Sequence, residues 1–333
     1  MTGRRRPSAG WLLLIPPALL LAALFVGRYG VSPGTVVDVL VGTGEASDVV
    51  RSLILRVRLP RALAAMCIGA NLAASGAIFQ TLFHNPLVDA RILGVSSGAA
   101  FGAALALLAS AGPVVTQWSA LGFALIAIGL VVLVGWRYGA STLVLVVAGI
   151  LVSALFSALL GLAKYVADPL DALPAITYWT LGSLSGVRWS DLPPLLVASG
   201  TILPLLILAR WRLNLLALDA HGALALGVPI RTLRTAALLL ATILVAVSVS
   251  VSGIIGWVGL IAPHIARAAV GVEHRRMLPA AISLGACAVL LLDGVARTAL
   301  AAELPLGVLT GAVGVPGFLV VLGATLRRRG ATR

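Results

Sequence analysis

Long apolar blocks, broken by short stretches carrying arginine, proline and glycine, recur along the whole chain. A helix needs about 20 largely apolar residues to cross the hydrocarbon layer of a bilayer. On that measure the blocks predict ten spans, near residues 11–27, 59–82, 92–110, 114–135, 142–163, 192–209, 232–251, 254–270, 279–298 and 305–326. The predicted fold class is therefore an all-α polytopic membrane protein, with residues 1–333 forming one transmembrane domain. Two places break the pattern. Residues 167–194, "ADPLDALPAITYWTLGSLSGVRWSDLPP", are too polar and too interrupted by proline to cross, and read as an outer segment that folds back into the membrane where it lines a cavity. The span near 254–270 is short and loaded with glycine.

Composition agrees with the pattern. Hydrophobic residues make up 60% of the chain, charged residues 11%, and the mean hydropathy is +1.09, far above the roughly 45–50% apolar content of a soluble domain. A net charge of +13 would suggest nucleic acid in a soluble chain. Here it reads as the arginine excess of cytoplasmic loops, and nucleic-acid binding is set aside. The basic start and apolar centre of residues 1–27 read as an uncleaved first span, since no clear small-x-small cleavage site follows and further apolar blocks do. An even number of spans puts both termini on one side, and both ends are basic, with "RRR" at 4–6 and at 327–329. Placing the termini inside leaves 16 of the 24 Lys and Arg residues on the cytoplasmic side. The eight outside are Arg28, Arg51, Arg56, Arg58, Arg61, Lys164, Arg188 and Arg297. Three of these fall in "RVRLPR" (56–61), at the mouth of the second span, where a positive-inside rule would not put them.

Small residues are dense in the apolar blocks, as in "GANLAASGA" (69–77), which predicts close packing through small-xxx-small faces. Cys67 and Cys287 sit in such blocks without metal-ligand spacing and read as small core residues. His264 reads as a hydrogen-bonding partner of backbone rather than a metal ligand, and no metal site or cofactor is expected. The aromatics Tyr178, Trp179 and Trp189 of the outer segment fit an interfacial belt, and contact with a planar ligand would look the same. The longest inner connection is 210–234. Leu216 to Leu226 suits a short helix, capped by Gly227 and stopped by Pro229, which could sit in a groove on another protein or lie at the lipid headgroups. A phosphate-cradling G-x-x-x-x-G-K-[ST] loop needs a lysine, and the single one, Lys164, is followed by Tyr165. The one clear intramembrane acid, Asp293, precedes Arg297 by four residues, the spacing of a local helical ion pair. Transport energy is thus expected from a partner, and the chain itself is not expected to be an enzyme.

Several ordered blocks carry a resemblance: residues 56–103, "LALGV" (224–228), "GIIGWVGLIAPHIAR" (253–267), "HRRMLP" (274–279) and "ELPLGVLTGAVGVPGFL" (303–319). The chain resembles the FecCD family, permease subunits of ABC importers for ferric siderophores, haem and cobalamin. The resemblance implies a type II ABC importer permease fold of about ten transmembrane helices in the bacterial cytoplasmic membrane. It also implies a second permease subunit, identical or paralogous, two ATP-binding subunits below, and an extracytoplasmic substrate-binding protein above. By the same resemblance, Arg58, Arg61 and Arg297 dock the binding protein's glutamates, and Asn85, Leu87, Ser141 and Thr142 form the cytoplasmic gate. Asp219, His221, Ala223, Leu226 and Gly227 fall in the ATPase-coupling loop, although Ala220 and His221 stand where the family usually carries an acid. The implied cargo is an iron chelate, a ferric siderophore or haem, with cobalamin as the alternative. From outside the family, the rival reading is a proton-coupled secondary carrier working through Asp293.

Overall fold

The computed structural model describes residues 9–44, 46–139, 141–217 and 230–330, and every regular element among them is helical. A 3-10 turn, Ala9–Leu14, leads into α1 (Ile15–Phe25), followed by two short helices, α2 (Pro33–Val41) and α3 (Asp48–Ser52). A π-helical stretch, Leu53–Arg58, joins α3 to α4 (Leu59–Leu82) without a break. Beyond a 3-10 turn, Ala90–Leu93, come α5 (Val95–Leu108), α6 (Pro113–Tyr138), α7 (Thr142–Val166), α8 (Ala172–Leu181), α9 (Pro193–Leu208) and α10 (Arg210–Leu213). A further 3-10 turn, Asn214–Ala217, closes that part, and α11 (Ile230–Ser252), α12 (Val258–Val270), α13 (His274–Thr298) and α14 (Leu306–Gly330) complete the bundle.

Five helical stretches are long and apolar enough to cross a membrane, and α9 with the Arg210–Ala217 segment, bent by 70°, makes a sixth. Four shorter apolar helices, Leu12–Phe25, Val95–Leu108, Val258–Val270 and Leu306–Val320, fill the other four expected positions. At about 1.5 Å per residue, Val95–Leu108 and Val258–Val270 each span only ~20 Å of a layer ~30 Å thick, whereas the last helix runs on to Gly330. The chain is non-helical at 253–257, between α11 and α12, and Trp257 there takes a left-handed φ of +68°.

Local chemistry accounts for the helix starts. Ser32 accepts the Thr35 N–H at 3.2 Å with Pro33 just inside α2, and Gly42, in the left-handed region at φ +78°, ends that helix. Ser47 and Ser141 cap α3 and α7 in the same way.

α4 is the axis of the bundle, buried along nearly its whole length and packed against α9, α11, α12 and α13. Its glycines explain how. A methyl group at Gly69 would lie 2.2 Å from the Gly285 carbonyl oxygen of α13, and one at Gly76 only 1.8 Å from that of Gly259 in α12. Backbone thus meets backbone, which maximises dispersion contacts where lipid supplies no hydrophobic force between helices. α5, α6 and α7 pack together beside this axis, and α7 keeps a broad apolar face outward, including Leu143, Leu151, Leu155 and Leu162.

The antiparallel course of α1, α4 and α13 brings particular ends together. The end of α1, the start of α4, the end of α13 and the approach to α14 share one face of the bundle. The end of α4, the Asn214–Ala217 turn and the start of α13 share the other.

Candidate functional site

Four of the eight cations assigned to the outer side converge at the first of these faces, on two carboxylates and the frayed end of α1. Arg61 donates from Nε to Asp293 Oδ1 at 2.9 Å, and its Nη2 lies 2.9 Å from the same oxygen. Its Nη1 reaches both oxygens of Glu303, 3.1 Å to Oε1 and 3.0 Å to Oε2. On the far side of Asp293, Oδ2 is 3.1 Å from Arg297 Nε, the ion pair that the four-residue spacing predicts. The result is an alternating chain, Glu303, Arg61, Asp293, Arg297, in which each inner charge has an opposite charge on both sides.

The remaining donors go to backbone. Arg58 donates to the Leu24 and Tyr29 carbonyls at 2.7 and 2.6 Å, and Arg297 to that of Val26 at 3.2 Å. Arg28 donates to the carbonyls of Arg297 and Leu300, both at 2.8 Å. The last carbonyls of a helix have no partner within it and carry partial negative charge, so guanidinium groups satisfy and neutralise the end of α1. The π stretch, one residue looser per turn than an α-helix, leads up to both Arg58 and Arg61.

Arg58, Arg61 and Arg297, expected on a docking rim, are therefore brought together but lie beneath the surface, at 4%, 5% and 6% exposure. Arg28 is the exposed guanidinium of the cluster, Arg51 and Arg56 are exposed shortly before Arg58 in the chain, and the Glu303 side chain is 27% exposed. Sequence reading missed Arg28 and Glu303 as members. Glu303 stood inside a quoted block, "ELPLGV", where its charge was the available signal.

At the opposite face, Asn85 and Leu87 share the turn after α4, where Asn85 Oδ1 accepts the Leu87 N–H at 2.9 Å. This leaves the Leu87 side chain 53% exposed. Ser141 caps α7 by accepting the Val144 N–H at 3.3 Å, and Thr142 is the first residue of that helix. No hydrogen bond among the described residues joins the two pairs, although the Ala90–Leu93 turn that follows Leu87 packs on α7. Asp219, His221, Ala223, Leu226 and Gly227, and the helix expected over 216–226 beyond Ala217, lie outside the described residues.

Two further expectations change. Among the described residues His264 Nδ1 has no hydrogen-bond partner, and the ring packs edge-on to Phe318 with centroids 5.5 Å apart. The outer aromatics do more than sit at an interface. Trp189 Nε1 donates to the Leu55 carbonyl at 2.8 Å, holding the segment before α9 onto the π stretch, and Tyr178 forms a hydroxyl cluster with Ser183 and Ser185. A cavity of about 370 Å³ lies beside that cluster, bounded by Gln117, Trp179 and Asp191. Near the turn after α4, Arg91 pairs with Asp89 at 2.7 Å and places its guanidinium 5.3 Å from the Trp257 ring, a cation–π contact that no sequence spacing announces.

Comparison with known proteins extends these observations. The sequence profile of the FecCD transport family matches residues 12–324. The molybdate import system permease of Haemophilus influenzae is 40% identical over 319 residues, 93% of each chain. The hemin transport system permease of Yersinia pestis is 39% identical over 341 residues, 99% of this chain and 98% of the other. A vitamin B12 import system permease of Salmonella typhi is 38% identical over 327 residues, 96% of each. Among solved structures, an inward-facing metal-chelate type ABC transporter superposes with a TM-score of 0.86 at 38% identity, covering 95% of this chain and 98% of that one. The type II importer permease architecture of about ten helices is thereby shown.

Proposed function

The chain belongs to the FecCD transport family, and from that premise we propose that it forms half of the path of an ATP-driven importer whose cargo is a metal chelate, with iron chelates such as haem first. It is a multi-pass permease of the bacterial inner membrane. The observation that carries the reading is end-to-end similarity: relatives of 38–40% identity, all of them permeases of import or transport systems, align over more than nine-tenths of this chain. Their cargoes differ, and a two-point spread in identity does not rank them. The metal-chelate type of the superposed transporter and the hemin permease support iron chelates, and nothing favours cobalamin over them.

In this reading both termini are cytoplasmic, supported by the two-to-one division of Lys and Arg. A loaded binding protein docks on the arginine face. Four guanidiniums there meet two carboxylates, leaving an excess of two positive charges before Arg51 and Arg56 are added. An arriving carboxylate meets the exposed Arg28, Arg51 and Arg56 first, and reaches Arg61 by displacing Glu303 from the lip. Such a field accelerates encounter and fixes orientation more than it adds raw affinity. Two separate ATPases act on the 210–234 connection, the turn holding Asn85 and Leu87 opens or closes against Ser141 and Thr142, and the cavity between two permease subunits changes the side it faces. The outer segment 167–194 borders that cavity.

The secondary-carrier alternative gains no support from Asp293, which is 1% exposed and gripped by two arginines, without the water access that proton exchange needs. The test is reconstitution of the chain in vesicles with its ATPase and binding-protein partners, assayed with hemin, a ferric siderophore, cobalamin and molybdate. Accumulation of hemin or the ferric siderophore that requires ATP and both partners is expected. Uptake by the chain alone on a proton gradient would overturn the reading, and uptake confined to cobalamin or molybdate would overturn the cargo.

A further inference from the structure

We propose that Asn214, His274, Thr81 and His84 form a polar tie that carries displacement of the cytoplasmic connection into the turn bearing Asn85 and Leu87. The proposal rests on the reading of 210–234 as the segment on which the ATPases act, and names the residues through which the motion passes.

The tie starts at the Asn214–Ala217 turn, the last described part of the chain before that connection runs on to Ile230. Leu213 and Leu216, 2% and 0% exposed, root the turn in the bundle. Asn214 Oδ1 accepts the backbone N–H of His274, the first residue of α13, at 2.9 Å, and lies 3.0 Å from His274 Nδ1. The backbone N–H can only donate, so it fixes which atom of the Asn214 amide faces the histidine: the oxygen. His274 Nδ1 must then carry a proton and donate to that oxygen. In a neutral ring this leaves Nε2 as an acceptor 2.9 Å from Thr81 Oγ1, whose one hydroxyl proton is shared between that nitrogen and the Ala77 carbonyl, also at 2.9 Å. His274 is itself 4% exposed. A single buried imidazole thus links the cytoplasmic turn to the last turn of α4.

A second strand of the tie runs beside the first. His84 Nε2 is within hydrogen-bonding distance, 3.3 Å, of the Ala217 carbonyl. His84 holds a left-handed φ of +50°, a strained setting for a residue with a side chain, and is the immediate neighbour of Asn85. Both contacts leave the four residues Asn214–Ala217 and arrive within three residues of one another, at Thr81 and His84. A short 3-10 turn is not stiff by itself. The His84 contact is exposed, whereas the His274 strand is buried, and polar groups held away from water have few alternative partners, so the turn and the end of α4 shift together rather than slide.

The function assigned to these residues is positioning, and the test must separate it from mere capping of α13. The chain is assembled with its ATPase subunits in lipid nanodiscs, Cys67 and Cys287 are replaced by alanine, and a spin label is placed on a cysteine at position 87. The spectrum and water accessibility of the label are compared without nucleotide and with ATP plus vanadate. The label on the otherwise unaltered chain is expected to respond to nucleotide. Asn214→Ala and His274→Ala are expected to lose that response in complexes that still hydrolyse ATP. Asn214→Asp, which keeps an oxygen acceptor and suits a helix N-terminus, is expected to keep it. A full response in Asn214→Ala overturns the tie, as does loss in Asn214→Asp equal to that in Asn214→Ala. Absence of any response in the unaltered chain instead overturns the coupling reading beneath it. Should Asn214→Ala fail to assemble, Thr81→Val removes the hydroxyl that faces His274 and the Ala77 carbonyl, at nearly unchanged side-chain volume, and is read in the same way.

Discussion

Replacing Asp293 by alanine removes the inner carboxylate of the Glu303, Arg61, Asp293, Arg297 chain and nothing else of comparable charge. Arg61 keeps Glu303, whereas Arg297 is left with backbone carbonyls alone, at 6% exposure. Breaking a buried pair by deleting one partner costs about 3–5 kcal/mol, because the other charge stays desolvated. An exposed pair costs only about 0–1 kcal/mol. Since Arg61 retains one partner, the loss is expected near 3 kcal/mol, the lower end of the buried range. Steric-trap unfolding in bicelles measures it at equilibrium, and a double-mutant cycle with Arg297→Met isolates the pair. The cycle is expected to give a coupling of about 1–3 kcal/mol. A destabilisation below about 1 kcal/mol, the surface value, would refute the network as a structural element. Asp293→Asn adds a functional arm: uptake per folded, assembled complex is expected to persist, where a proton carrier working through this carboxylate would stop.

Three further outcomes are expected. Gly76→Ala forces a methyl to 1.8 Å from the Gly259 oxygen and should cost roughly 1–3 kcal/mol or more by overpacking, while Gly122→Ala in α6, which meets nothing within 4 Å, should be neutral or stabilise by up to about 1 kcal/mol; equal melting temperatures for the two would remove the backbone-contact argument. Cysteines at Leu87 in paired subunits should crosslink in the closed state, and failure in every nucleotide state would take Leu87 out of the gate. Glu303→Gln should tighten docking of the binding protein several-fold in surface plasmon resonance at low salt, by freeing Arg61 of its internal carboxylate; unchanged or weaker docking would reject the displacement step.

What could be read in advance follows the strength of each physical signal. The ten apolar segments were legible because a bilayer imposes a length and polarity requirement that few other contexts mimic, and each has a helix within it. The short α2 and α3 were not anticipated, although Ser32 with Pro33 and Ser47 with Asp48 carry ordinary N-terminal chemistry. Their few turns were masked by the span-length search. The 254–270 block was legible as abnormal but not as a half-length helix preceded by a left-handed Trp257, since its glycines permit irregular backbone without specifying it. Asp293 with Arg297 was legible from four-residue spacing. Arg61 with Asp293 and Glu303 was not, because those partners are 232 and 242 residues apart and only the antiparallel packing of α4 on α13 joins them. The same limit hid Asn214 with His274 and Thr81.

The arginines on the face assigned to the outside are less anomalous than their sequence positions suggest. The rule that keeps cations inside concerns charges that must be solvated on one side or the other. Most of the cationic charge here is spent within the protein: Asp293 and Glu303 offset two of the four guanidiniums, and carbonyls at and beyond the end of α1 occupy much of the rest. A helix end that would otherwise present bare carbonyls near the membrane boundary is closed by Arg58 of the π stretch and Arg297 of α13, so the cluster has a structural reason independent of any partner. The excess of two positive charges has no carboxylate partner among the described residues, and Arg28, one of its members, is exposed. One arrangement therefore supplies both a locked bundle end and a residual field for an acidic partner, and the two are separable: Asp293→Ala should act on stability, Glu303→Gln on docking.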